Sequence, residues 1–122
     1  MKGNCLWAIP GGHIPPQSTG REPENTSFDK VAILNMNDTE ANIEVTVFFT
    51  SREPVGPYRI KVPARRVRTF RFNDLIDPEA IPLGEDYSAV VDSDAPIVVQ
   101  FSRQDTGEQR KAILTTMAHP LD

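Results

Sequence analysis

Residues 41–50, ANIEVTVFFT, alternate strictly, with Ile43, Val45, Val47 and Phe49 on one parity and Asn42, Glu44, Thr46 and Phe48 on the other. A period of two marks a half-buried β-strand, because successive side chains leave the pleated backbone on opposite faces. Seven other short runs, rich in β-branched and aromatic residues, occupy 5–9, 28–35, 58–62, 67–72, 87–93, 97–103 and 111–118. Pro, Gly, Asn and Asp punctuate them, notably at Pro10-Gly11-Gly12, Asn37-Asp38 and Asp94-Ala95-Pro96. Eight short strands with turns at roughly 8–12-residue spacing predict an all-β, antiparallel β-sandwich; an eight-stranded barrel is the competing architecture.

The 122 residues suit a single domain spanning 1–122, long enough to bury a core without staples. One cysteine, Cys5, leaves no intramolecular disulfide, and the absence of a signal-like N-terminus points to the cytoplasm. No apolar run approaches the ~18 residues that span a bilayer, so direct membrane insertion is not expected. Residues 10–27 hold four of the 11 prolines and three of the seven glycines, which predicts an irregular loop. Its His13-Ile14-Pro15-Pro16 portion is apolar enough to lie on the body, and residues 20–25 read as a polar tip. Residues 73–78 resemble a capped helical turn. Residues 108–112 are good helix formers, but 113–117 favours a strand. Phe48, on the polar parity of its strand, has two open readings: a subunit contact, or cover by another segment.

Charge is strongly partitioned. Residues 52–71 hold seven of the 13 basic side chains (Arg52, Arg59, Lys61, Arg65, Arg66, Arg68, Arg71) and one of the 17 acids, Glu53, so this stretch carries +6 and the rest −10. Two strand-like runs flanking Pro63-Ala64-Arg65-Arg66 read as a basic hairpin, a surface suited to phosphates, carboxylates or sugar hydroxyls. Residues 74–94 are the opposite, with seven acids and no bases.

Catalytic and metal chemistry leave little trace. The two histidines, His13 and His119, stand at opposite ends without ligand spacing, and no Gly-rich phosphate loop enters a helix, so neither a metal nor a cofactor is expected. Cys5 reads as a small packed residue rather than a nucleophile, and no general base with a partner is visible. The residues suited to holding a ligand are Trp7 and Tyr58 for stacking, Arg65, Arg66 and Arg103 as donor forks, and Asn73, Asp74 and Gln100 as paired donors and acceptors. Each also has a structural reading: Trp7 as a core anchor, Arg103 as a strand-end charge, Asn73-Asp74 as a cap.

Six ordered segments, Cys5-Leu6-Trp7-Ala8, Gly12-His13-Ile14-Pro15-Pro16, Glu53-Pro54-Val55-Gly56-Pro57-Tyr58-Arg59, Val62-Pro63-Ala64-Arg65-Arg66, Phe72-Asn73-Asp74-Leu75 and Pro96-Ile97-Val98-Val99-Gln100, resemble the sensory rhodopsin transducer family along nearly the whole chain. The resemblance implies a jelly-roll-like β-sandwich, assembly as a homotetramer and no enzyme activity. It also implies partnership with a retinal-binding membrane photoreceptor, or small-molecule binding with sugars favoured, or DNA binding. Two functions follow. One is a ligand-binding module holding a polyhydroxylated or anionic metabolite among Trp7, Tyr58, Arg65, Arg66, Asn73, Asp74 and Arg103. The other is an interaction protein whose basic segment docks on DNA or on the cytoplasmic face of a membrane receptor.

Overall fold

The computed structural model describes residues 3–16, 27–106 and 112–122; the expected polar tip at 20–25 and residues 108–111 lie outside them. Eight strands are found among these residues: β1 (Asn4–His13), β2 (Phe28–Asn35), β3 (Ala41–Phe49), β4 (Val55–Val62), β5 (Arg66–Arg71), β6 (Asp86–Asp105), β7 (Ala112–Met117) and β8 (His119–Pro120). A single 3₁₀ turn, Phe72–Asp74, stands where the capped helical turn was expected, without a side-chain cap.

β6 organises the molecule. Its first half pairs with β1 and β3, and its second half pairs with β2 and β7, always antiparallel. One sheet therefore runs β4-β3-β6-β1-β8 and the other β5-β2-β6-β7. The two remain open at their edges, which decides for the jelly-roll-like sandwich over the closed barrel. The alternation of β3 is realised as read: Ala41, Ile43, Val45 and Val47 are buried, and Asn42, Glu44 and Phe48 face out. They join Val31, Ile33, Val91, Val99, Phe101 and Phe72 in one core drawn from both sheets. Each such aliphatic side chain contributes about 1.5–3 kcal/mol on burial.

Three expectations are corrected. The Asp94-Ala95-Pro96 segment does not separate two strands; β6 continues through it from one sheet into the other. Side chains from elsewhere hold that bend: Asn42 binds both carboxylate oxygens of Asp94, through its N–H at 2.8 Å and its Nδ2 at 2.9 Å, and Asn37 Nδ2 donates to Pro96 O at 2.7 Å. Pro10-Gly11-Gly12 likewise belongs to β1, where a register shift between Ile9 and Gly12 absorbs the irregularity.

The basic segment is not a hairpin. β4 pairs with β3 and β5 pairs with β2, so the turn between them carries the chain from one sheet to the other. Arg65 makes that crossing in left-handed backbone, φ 57, with its N–H donating to Asn37 O at 3.0 Å. Asn35, fully buried, donates through Nδ2 to Val62 O and Pro63 O and fastens the turn to β2.

Candidate functional site

Asp29 is fully buried, and its carboxylate accepts donors from three other segments. Oδ2 accepts the His13 N–H at 2.8 Å and the Tyr87 hydroxyl at 2.7 Å, and Oδ1 accepts Arg103 Nε at 2.8 Å. Arg103 Nη2 reaches on to Gly11 O at 2.8 Å. Asn73 closes the other side, its Oδ1 taking the Asp29 N–H and its Nδ2 donating to Ser27 O. A buried carboxylate is tolerable only when paired and hydrogen-bonded in this way. Burial, then the neighbouring Asp29 charge, pushes the Tyr87 phenol far up, so it stays a donor. Gly12 is required beside it, since a Cβ there would lie 2.3 Å from the Tyr87 ring. His13 adds an outer bond, Nδ1 to Asp86 Oδ1 at 2.8 Å.

The seven residues nominated for ligand contact fall into three places. Trp7 and Tyr58 are core residues with satisfied polar atoms: Trp7 Nε1 donates to Asn4 O at 2.9 Å, and the Tyr58 hydroxyl donates to Glu79 O at 2.6 Å. Burial, with Glu79 adding to it, raises the Tyr58 phenol. Arg65 and Arg66 sit at the turn beside the Asn35 end of β2. Asn73 and Arg103 converge on Asp29 near the opposite end, and exposed Asp74 binds the Arg71 guanidinium at 2.9 and 3.1 Å. Asp29 and Asn35 are six residues apart on β2, about 20 Å at ~3.4 Å per residue. The seven do not form one cleft. Sequence reasoning passed over Asp29, although its parity with Val31 and Ile33 placed a carboxylate on the inward face.

Charge does collect, on an edge. β4 and β5 are the edge strands on one side of the sandwich, and Arg59, Lys61, Arg65, Arg66 and Arg68 are all exposed along it. Arg68 Nη1 donates to Lys61 O at 2.9 Å and ties the two strands together. Among the described residues, the one ion pair of these five cations is a solvated contact of Arg65 with Asp38 at 3.9 Å. Beside this edge lies a polar groove of about 330 Å³, with Arg59 and Lys61 on one wall, Glu44 and Asn42 on its floor and Asp92 and Asp94 opposite. Its hydrogen bonds from Asn42 hold the Asp94 carboxyl below the usual carboxylate range. Among the described residues, no group of three or more His, Cys, Asp or Glu side chains is placed to hold a metal ion. Burial and then the charges of Asp122, Asp92 and Asp94 raise the Cys5 thiol, which opposes nucleophilic use. No described helix is long and apolar enough to cross a membrane.

The family model for the Anabaena sensory rhodopsin transducer matches residues 2–120. The solved structure of the Anabaena sensory rhodopsin transducer is similar at 49% identity and a TM-score of 0.75, over 81% of this chain and 95% of that one. The crystal structure of Thermotoga maritima 1070 is similar at 28% identity and a TM-score of 0.86, over 99% of this chain and 97% of that one. No curated protein matches.

Proposed function

This chain belongs to the Anabaena sensory rhodopsin transducer family, and from that premise we propose that it is a non-enzymatic cytoplasmic signalling protein whose basic edge docks on the acidic cytoplasmic face of a membrane photoreceptor. The observation that carries this reading is the row of five exposed cations on β4, β5 and the turn between them, with one solvated ion pair to them among the described residues. Arg65 adds to it: a guanidinium occupies a left-handed position that costs a residue bearing a Cβ about 1–2 kcal/mol and that glycine fills without strain. Such an edge steers an anionic partner and fixes its register. The test is binding to a sensory rhodopsin in nanodiscs at about 50 and about 200 mM salt, with a DNA duplex as competitor. Arg59→Glu combined with Arg66→Glu is expected to weaken binding at least tenfold, and Arg66→Ala to weaken it less. Undiminished binding by the double variant overturns the docking surface, and stronger binding to the duplex than to the receptor reassigns it to DNA.

The polar groove supports a second reading, a polyhydroxylated, sugar-like ligand. Its alternating carboxylates, amide and cations are donors and acceptors of the kind sugar hydroxyls require. Saturable, salt-insensitive thermal stabilisation by one sugar class, lost in Glu44→Ala, is the expected signature; stabilisation retained in that variant removes the groove from the proposal. Assembly as a homotetramer completes the proposal, with Phe48, 40% exposed on the outer face of β3, as one apolar contact. Sedimentation as a monomer at micromolar concentration excludes it.

A further inference from the structure

The edge opposite the cations is open in a way that the alternation of its strands does not require. Along β6, Val99, Phe101 and Arg103 share one parity, and the pairing with β7 sets Thr116 opposite Phe101 and Leu114 opposite Arg103. Leu114 therefore belongs to the inward face of its sheet. Val99 and Phe101 on that face are 0% and 4% exposed, yet Leu114 is 53% exposed. An inward leucine that reaches solvent marks a place where the facing sheet fails to cover its partner. That sheet ends there in β8, a strand of two residues. A cavity of about 280 Å³ occupies the gap, with Ile9 and Gly11 of β1, Phe101, Leu114, Met117 and Ala118 among its walls.

Arg103 is not part of this lining but stands beside it, its guanidinium carbon 5.7 Å from the centre of the Phe101 ring. Arg103 is anchored through Nε to Asp29 and through Nη2 to Gly11 O, and Gly11 is itself part of the wall. Among the described residues its Nη1 takes no partner, and a quarter of the side chain, 25%, is exposed. Asp29 is fully buried and both its oxygens already accept donors, so the pair presents N–H groups rather than carboxylate to a visitor. The guanidinium is fixed in place before anything binds, which lowers the entropy lost on binding.

We propose that this mouth binds a small amphipathic carboxylate, an aliphatic or aromatic acid. Its hydrocarbon part lies on Phe101, Leu114 and Met117, and its carboxylate meets the free Nη1 edge of Arg103. Three features select that class. The volume sits at the low end of small-molecule pockets, about 300–1,000 Å³, which limits the ligand to a short acid. Thr116 and His119 are the polar side chains of the walls, too few to pair the several hydroxyls of a sugar, most of which would be buried unpaired. A neutral hydrocarbon leaves the anchored cation unused, whereas a carboxylate gains a charge-assisted hydrogen bond from it. The inference does not rest on the basic edge, which lies on the other side of the sandwich and can fail independently.

The test uses the whole protein with hexanoate and phenylacetate as probes, against acetate and hexanol at matched ionic strength. The expected result is saturable thermal stabilisation by the two acids alone. Amide shifts should be confined to Gly11, Arg103 and residues 112–118. Leu114→Asp, an exposed substitution that sets a carboxylate at the mouth, should keep the melting temperature of the free protein and weaken acid binding at least tenfold. Met117→Asp serves if that variant fails to fold. Equal responses to acetate and hexanoate would reduce the effect to general anion binding and overturn the proposal, as would no response at millimolar acid. A melting temperature that climbs with protein concentration, with shifts at residues 112–117 and none from the acids, assigns the mouth to a second copy and overturns it too.

Discussion

The two lateral edges of this sandwich solve the same problem in opposite ways. Every sheet edge presents unpaired backbone groups that invite another strand. On one side β4 and β5 carry Arg59, Lys61, Arg66 and Arg68, so a second copy approaching that edge meets its own charge. On the other side β7 reads AILTTM, with no charged residue and all six residues exposed, and β8 is cut to two residues ending in Pro120. The first edge is shut to its own kind and open to anions. The second is open to apolar matter and protected only by being short. The connection from β4 to β5 crosses between sheets, and so does that from β7 to β8, so neither difference comes from topology. It comes from side chains and from the length of the edge strands.

The largest effect should come from breaking what anchors the second edge. Asp29→Ala removes the acceptor of Arg103, Tyr87 and the His13 N–H at once, leaving a half-buried cation without its carboxylate and a buried hydroxyl unpaired. A loss of about 3–5 kcal/mol is expected in denaturant unfolding. Hydrogen exchange should show β1 and β7 opening before β4 and β5. A loss below ~1 kcal/mol, or uniform loss of protection, would mean that the network does not distinguish the two sides.

Next in size is a pair of adjacent glycines. A Cβ on Gly12 meets the Tyr87 ring at 2.3 Å, and one on Gly11 meets nothing within 4 Å. Gly12→Ala should cost about 1–3 kcal/mol as overpacking and displace the Tyr87 hydroxyl from Asp29. Gly11→Ala should stay within about 0.5 kcal/mol. Equal melting temperatures for the two variants would remove Tyr87 from the anchoring of this edge.

The legibility of these parts in the sequence differs for a physical reason. β3 could be read residue by residue because its period reflects local backbone geometry and one buried face. β6 could not, because Asp94-Ala95-Pro96, an acid and a proline around one alanine, reads as a turn; what keeps the strand going is Asn42 and Asn37, contacts from elsewhere in the chain. The basic segment was legible as charge and not as pairing: two runs four residues apart look like a hairpin until the left-handed Arg65 sends the second into the other sheet. Asp29 is the clearest case. Its inward parity was visible in Asp29, Val31 and Ile33, but its donors lie 16, 58 and 74 positions away. Trp7 and Tyr58 looked like stacking platforms for the converse reason, since chemistry can nominate an aromatic ring while only packing decides whether it reaches solvent.

A smaller effect would sharpen the comparison by making the edges alike. Ile113→Lys places on β7 the kind of charge that guards β5, at a residue 65% exposed. Stability should change by less than about 0.5 kcal/mol, while light scattering at high concentration should fall. Arg66→Ala with Arg68→Ala should raise scattering at the other edge. If neither pair moves, charge is not what guards these strands.

The smallest effect expected is on pH. Asp122 accepts the Cys5 and Leu6 N–H groups at 3.1 and 3.2 Å, which holds its carboxyl below the usual range, and the Asn42 bonds do the same for Asp94. A carboxylate whose folded pKa lies below its unfolded value, ~3.9, contributes stability that is present above about pH 4 and is lost as pH falls through the folded pKa. Acid should therefore loosen two attachments, the C-terminus to β1 behind the apolar edge and the β6 bend near the basic one. Asp122→Asn should flatten the acid limb of the stability profile and lower the neutral plateau slightly, since the stabilisation that acid removes is present at neutral pH. Because Asp122 tethers the strand that closes the mouth side, its variant should also expose the β1–β8 pairing to hydrogen exchange at neutral pH, whereas Asp94→Asn should leave that pairing protected. Identical exchange in the two variants would show that the acid response belongs to the fold as a whole and not to its edges.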